Sequence, residues 1–481
     1  MLRQLLTYAH QDSDVRALAE ATAGGGTAER AFVSSSLRPY LLAALLDSEP
    51  GRPALVVAGD DRAARDLAGD LRAFLAPRPV RLYPARGVQY ESHLAPPPHL
   101  VGLRVAALDA LIGDQQPDGA AVVVASAAAL AEKVPDPELR PHGFTIEKGG
   151  LLDLDEVTGQ LVACGYERVD QVDDRGQFAL RGDILDVYPA TEERAVRCEL
   201  FDIEVERLTY FSTFTQRSLD EADSIEIAPA AEIGPEHREL AEMAAHSDAE
   251  DRPDVAELLP VDRFRDVLGL LPDSALVVVA AEEEVEPSIK DLWEDVTASF
   301  HDRDVHHLYL SPDELRAGLE SRVSLKLSSI SGDQPHTFRA QGADTSARSL
   351  KDAEPELEKL VRSGYRTVIA WSRRGEAERA AYNLMRVRAS FLDGQPAPRE
   401  PGVVFANATL RDGFLAPGLK LAVLPEHRLL RRRRNERSNR PTSASRGAMA
   451  SFNSLRAGDP VVHEDHGIAR FTGFETKTVG G

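Results

Sequence analysis

The sequence predicts a multidomain α/β protein. Short apolar runs of strand length alternate with helical patterns across residues 1–144, 228–335 and 349–428. Between the first two blocks, residues 145–227 change character and read as a small mixed α+β unit with strict two-residue alternation. At 481 residues the chain exceeds what one core fills, so three or four domains are expected.

Composition narrows the classes further. Apolar residues make up 43% and charged residues 28%, which fits a globular chain and not a disordered one. A net charge of -22 argues against a surface that coats nucleic acid, although a local basic patch remains compatible with it. The two cysteines, Cys164 and Cys198, lie in predicted regular elements without a CxxC partner and read as core thiols of a reducing cytoplasm. The N-terminus reaches charged residues too soon for a signal peptide, and no apolar run has membrane-spanning length. The expected location is cytoplasmic, with no membrane partner.

In the first block, Pro53–Ala58, Val80–Tyr83 and Ala120–Ala125 read as buried strands. Helices are predicted over Asp60–Leu75, Val101–Leu111 and Ser126–Glu132. A nucleotide-binding protein of this layout needs a phosphate loop before its first helix, with glycines, a lysine and a Ser/Thr. The positions available are Val33 to Tyr40, VSSSLRPY, which contain neither glycine nor lysine. The run Gly24–Gly26 lies too early and lacks the GK[ST] signature. No ATP site is expected here.

Residues 145–227 begin with an amphipathic helix over Asp153–Gly165 that ends at a glycine, a natural stop. Tyr166–Val172 starts the strands, Phe178–Tyr188 follows with an interruption at Arg181-Gly182-Asp183, and Ala195–Asp202, Thr209–Phe214 and Ser224–Ile227 complete the unit. Alternation in Ala195–Asp202 places Val196, Cys198 and Leu200 on a core face and Arg197, Glu199 and Phe201 on the other. Two readings of that second face stand side by side. Arginine beside an exposed aromatic is the composition of a protein–protein hot spot. Alternatively, Phe201 folds under a neighbouring loop and Arg197 pairs with Glu199.

Residues 276–287, LVVVAAEEEVEP, read as a buried strand ending in an acidic cluster of Glu282, Glu283, Glu284 and Glu286. Acidic residues suit a helix N-terminus, which is the reading preferred to a metal site. Residues 331–348 are polar and read as a linker. In 349–428, helices KDAEPELEKLVRSG and GEAERAAYNLMRVR accompany strands Tyr365–Trp371, Gly402–Ala406 and Leu419–Leu424, without a phosphate motif or catalytic constellation. Residues 429–456 form a basic linker holding Arg431–Arg434, Arg437 and Arg440, read as a solvated run with sequence-blind contact to DNA phosphates as the alternative. In 457–481, strands Pro460–His463 and Gly467–Thr472 open a β-barrel pattern that stops at Gly481, so the chain reads as truncated. His463, Glu464, Asp465 and His466 lack supporting ligands nearby, and no metal site is expected.

Four stretches, in order, resemble the bacterial transcription-repair coupling factors in their N-terminal part. Tyr90-Glu91-Ser92 with GLRVAALDAL resembles the degenerate UvrB-like first domain. RGDILDVYPA and RCELFDIEVERLTYFSTFTQRSL resemble the UvrA-interaction domain inserted in it. DGFLAPGLKLAVLPE at 412–426 resembles the segment before the arginine run, and GDPVVHEDHGIARFTG resembles the opening of the CarD-like, RNA-polymerase-interacting domain. The resemblance implies a UvrB-like degenerate P-loop-type α/β domain (1–144 and 228–335) with the UvrA-interaction domain (145–227) inserted. A further small α/β domain (349–428) and the start of a truncated barrel (457–481) follow.

It also implies a role: recruiting UvrA of nucleotide excision repair to RNA polymerase stalled at DNA lesions. The residues expected to contact UvrA are Arg181, Arg197, Phe201 and Asp202, with Ile203 where an acidic residue is common in the family. The polymerase β subunit would be met through the domain that is truncated here. The family's ATP- and magnesium-dependent motor on double-stranded DNA, and the C-terminal domain that masks the UvrA-binding face, have no counterpart motifs in these residues. The chain itself is therefore expected to hold no cofactor, to lack enzymatic activity, and to leave the UvrA face open. Two other readings remain: a UvrB-like nucleotide-dependent damage-recognition enzyme, and a CarD-like transcription regulator.

Overall fold

The computed structural model describes residues 2–430 except 24–27, 91–94, 114–117, 236, 238–257, 301–304, 344–346 and 348, together with 460–463 and 467–470. Residues 1–431 form one compact unit and 432–481 a second.

The first unit is built on a seven-stranded sheet, all of whose described pairings are parallel. Its strands run, edge to edge, His336–Phe338, Glu29–Val33, Val323–Ser328, Leu276–Val279, Ala54–Ala58, Val122–Ser126 and Val80–Tyr83. Parallel sheets are covered on both faces, which is why ALVVA is apolar throughout and VVVAS is apolar up to its final Ser126. Helices Leu6–Gln11, Ser13–Ala23, Arg38–Ser48 and Asp61–Leu75 share one core with Val56, Val124 and Val278. Helices Pro98–Ile112, Ala127–Ala131, Glu282–Phe300 and Pro312–Arg322 cover the other face over Leu55, Val123 and Val277. Asp60 caps the helix at 61–75 by accepting from the Ala63 amide at 2.7 Å, and Pro77 lies just beyond its end.

The acidic cluster stands at a helix start, as its composition suggested: Glu282, Glu283 and Glu284 form the first turn of the helix Glu282–Phe300, although the strand before them already ends at Val279. One expectation changes here. The residues read as a linker are partly strand: His336–Phe338 pairs with Glu29–Val33, and Gln341–Gly342 pairs with Phe414–Ala416. Each is an edge strand, which tolerates polar residues because one side faces solvent.

The second sheet runs Gln341–Gly342, Phe414–Ala416, Leu421–Pro425, Arg366–Trp371, Gly402–Asn407 and Ala389–Phe391. One continuous core carries Tyr40 and Phe74 from the first block together with Val368, Val404 and Phe414.

Between Val134–Pro135 and Phe264–Arg265, which pair with each other, the chain leaves to build the insert. Phe144–Glu147 pairs antiparallel with Ser224–Ile227, so the insert's two ends lie side by side. Its six-stranded sheet runs Ser218–Glu221, Glu204–Phe211, Ala195–Phe201, Ile184–Tyr188, Gln177–Arg181 and Glu167–Arg168. The strand expected at Thr209 starts at Glu204, because Asp202-Ile203 makes a tight turn; Ser218–Glu221 is an additional, wholly exposed edge strand. Only two residues of Tyr166–Val172 are strand. Helix Leu154–Ala163, capped by Asp153, packs on the sheet and is followed by Gly165 at φ +90°, where a Cβ would lie 2.5 Å from that of Ala231.

A buried ion-pair cluster ties the insert to the first sheet. Glu232, just past the insert's last strand, accepts from Arg86 Nε at 2.7 Å and Arg104 Nε at 2.9 Å. Arg104 Nη1 also donates to Glu132 at 2.6 Å, and its guanidinium lies 4.7 Å from the centre of the Tyr83 ring.

In the second unit, Pro460–His463 and Gly467–Arg470 form an antiparallel pair with His463 opposite Gly467. The arginines at 431–434, 437 and 440, the residues Glu464, Asp465 and His466, and the end of the strand expected to reach Thr472 lie outside the described residues. Among the described residues no helix is long and apolar enough to cross a membrane.

Candidate protein-interaction site

The insert sheet has one face on the helix; the other is covered at one end by a small cluster of Val172, Ala179, Ala195 and Phe211 and opens outward toward Phe201. Val196, Cys198 and Leu200 are buried in the core with Leu161, Phe178 and Leu185, as alternation predicts. Cys164 and Cys198 are free and buried, and burial pushes their thiols up to about 11 and about 12.

The outward face carries three of the four expected contact residues. Arg197, Glu199 and Phe201 alternate along one strand, and Arg181 ends the strand two places away in the sheet. Phe201 is 75% exposed, so it does not fold under a loop. Nor does Arg197 pair with Glu199, whose nearest cation is Arg207 at 3.9 Å.

Arg197 instead makes a two-pronged contact with Asp186, Nε to Oδ1 at 2.7 Å and Nη2 to Oδ2 at 2.8 Å. Arg181 donates to the same carboxylate at 2.5 Å. Asp186 is 1% exposed, and it stands directly opposite Arg197 on the neighbouring strand. The hydrogen bond to Asp186, against the effect of burial, raises the Arg197 guanidinium above its ordinary value. The Arg197 guanidinium also lies 4.6 Å from the centre of the Phe211 ring.

Arg197 is thus sandwiched between a buried carboxylate and an aromatic ring, and its side chain is only 17% exposed, against 49% for Arg181. Sequence reasoning passed over Asp186, although the signal was present: an acidic residue inside the apolar run ILDVY needs a cationic neighbour to be buried.

Asp202 is exposed and takes a φ of 58° in the turn that joins Phe201 to Glu204. Short polar residues tolerate this left-handed conformation. The amide of Leu200 donates to Asp183 O at 2.9 Å, so the Arg181–Ile184 turn and the Phe201 end of the strand lie together.

Comparison with known proteins bears on this same segment. Residues 144–233 match the model of the UvrB interaction domain, and residues 455–481 match the CarD-like/TRCF RID domain. The transcription-repair-coupling factor of Bacillus subtilis is 27% identical over 503 residues, covering 94% of this chain and 42% of that protein. This chain is similar to the transcription-repair-coupling factors. The factor of Mycobacterium tuberculosis is 29% identical across 95% of the chain, and that of Escherichia coli 24% across 92%. In these comparisons the chain spans about two-fifths of the relatives' length, 42%, 42% and 41%. The likeness to these factors covers more than nine-tenths of the chain in each of the three comparisons.

Proposed function

We propose that this chain recruits UvrA, through the outward face of the insert sheet, as part of a transcription-repair coupling factor acting at stalled RNA polymerase. The observation that carries the reading is Phe201, a large aromatic left 75% exposed on a regular strand beside a built arginine–carboxylate cluster, within the segment that matches the UvrB interaction domain. Aromatic and arginine side chains on a rigid scaffold are the usual anchors of protein interfaces. Arg181, Arg197 and Phe201 are the contact and support residues, with Asp202 shaping the turn at their edge.

RNA polymerase, through its β subunit, is the second partner in this reading, met by the domain whose model matches residues 455–481. Translocation on double-stranded DNA, with ATP and magnesium, is assigned to the full-length relatives and not to this segment. Supporting that division, the loop where phosphates would sit is occupied by internal bonds. Ser34 Oγ accepts from the Ala340 amide at 3.0 Å, and Arg38 faces Glu283 at 3.8 Å, which itself accepts from Ser329 N at 3.0 Å.

The test is calorimetric titration of the chain into UvrA, wild type against Phe201→Ala, Arg181→Ala and Arg197→Ala. A hot-spot truncation costs about 2 kcal/mol or more, roughly thirtyfold in affinity. Wild-type binding lost in these variants supports recruitment; a folded wild type that does not bind UvrA sinks it.

A further inference from the structure

The tip of the insert sheet presents more apolar surface than its fold uses. Leu151 is 76% exposed, Phe201 75% and Ile203 46%. Their backbone is pinned: Leu152 N donates to Ile203 O at 2.7 Å, Gly149 N to Val205 O at 2.8 Å, and Val205 N to Gly150 O at 2.9 Å. Leu151 stands opposite Glu204, which stands opposite Phe201. Residues directly opposite on an antiparallel ladder share a face, so Leu151 and Phe201 flank the Glu204 stem on one side of the sheet. The core behind them is filled by Val205, Leu200 and Leu152.

Exposed Asp183, Asp202 and Glu204 flank this tip, and the Asp186 cluster supplies the positive charge beside it. Asp186 carries one negative charge beneath two guanidiniums, which leaves a net charge of plus one. Arg197 has both prongs on Asp186 and Phe211 against its face. Arg181 gives Asp186 a single bond from Nη2, and half of its side chain stays in solvent. The accessible donors therefore belong to Arg181.

We propose, resting on the UvrA reading above, that the contact has two parts. Leu151 and Phe201 dock as one apolar tip on an apolar patch of UvrA, with Ile203 exposed in the adjoining turn, and Arg181 takes a single carboxylate beside that patch. Arg197 is a positioning residue that, with Asp186, sets Arg181 in place. Because the tip is pinned before binding, little ordering entropy is lost when it docks. Ile203 gives this chain an apolar contact at the edge of the patch.

The experiment is titration of the full chain into UvrA over a salt series, with melting temperatures to confirm that each variant is folded. Leu151→Ser and Ile203→Glu change only exposed side chains and are expected to fold as wild type while each losing about tenfold in affinity. Arg181→Ala flattens the salt dependence, because its accessible charge is gone; Arg197→Lys keeps the wild-type salt slope. Tighter binding by Ile203→Glu, or wild-type affinity in Leu151→Ser, overturns the apolar tip while leaving recruitment standing. An equal loss of salt slope in Arg197→Lys overturns the positioning role. Failure of the wild type itself to bind UvrA removes the underlying reading and this one with it.

Discussion

Asp186 is the residue on which the outward face depends, and its case shows what alternation can and cannot deliver. A strand's pleat fixes which side chains share a face, so the outward placement of Arg197 and Phe201 was legible in residues 195–202. The partner of Arg197 was not, because it lies on another strand and depends on a register in which Arg197 meets Asp186. A buried carboxylate is stable only when paired, and here two guanidiniums satisfy it. Replacing Asp186 by alanine leaves two adjacent cations without their shared anion. Both reach solvent in part, so the loss should fall below the roughly 3–5 kcal/mol of a fully buried pair, at about 2 kcal/mol. Urea unfolding of Asp186→Ala measures it, and a variant as stable as wild type would show that the cluster contributes nothing to the fold.

At the scale of elements, the turn at Asp202-Ile203 decides where the strand Glu204–Phe211 begins and hence which residues stand at the tip. The sequence offered a weak signal there, since neither an Asn-Gly nor an Asp-Gly pair marks the turn. Reading the strand as starting at Thr209 followed from that, and the polar stretch at 331–348 escaped for a related reason: edge strands need not alternate cleanly. The helices and buried strands of the parallel sheet were easier, because continuous apolar runs and capping residues such as Asp60 mark them locally. Asp202 can serve as a turn former, as a contact, or as both, and two substitutions separate these roles. Asp202→Gly suits the positive φ and keeps stability within a few tenths of a kcal/mol. Asp202→Val, a β-branched residue forced into the left-handed region, should cost about 1–2 kcal/mol. If Asp202→Gly also binds UvrA as wild type does, the carboxylate is not a contact; weaker binding at unchanged melting temperature makes it one.

Over the whole first unit, the insert is held by charge burial as well as by chain connectivity. Arg104, 1% exposed, stands between Glu132 and Glu232, two carboxylates distant in sequence from it and from each other. No periodicity predicts such a meeting, because it follows from the crossovers that order the parallel sheet and from where the insert returns. Burial pushes Glu132 up to about 7, and Arg104 opposes that shift. Glu232 lies below its ordinary value because Arg86 and Arg104 outweigh its burial. Arg104→Met removes the cation while keeping much of the side-chain volume, leaving Arg86 to face both acids. The expected loss at pH 8 is about 3–5 kcal/mol, the usual cost of breaking a buried pair. The pH dependence has a definite sign. Glu132 without Arg104 binds its proton more tightly in the folded state than in the unfolded one, so folding is favoured by acid. Its contribution is fully present below the unfolded value near 4.5 and is lost as pH rises through the folded value, which burial already raises and which loss of Arg104 raises further. The deficit of Arg104→Met should therefore shrink between pH 8 and pH 5, measured against wild type by denaturant unfolding at each pH. A deficit equal at both values would mean that Glu132 stays ionised and that Arg86 alone suffices for the pair. UvrA affinity per folded molecule should be unchanged in the same variant, because the apolar tip and the Asp186 cluster lie entirely within the insert.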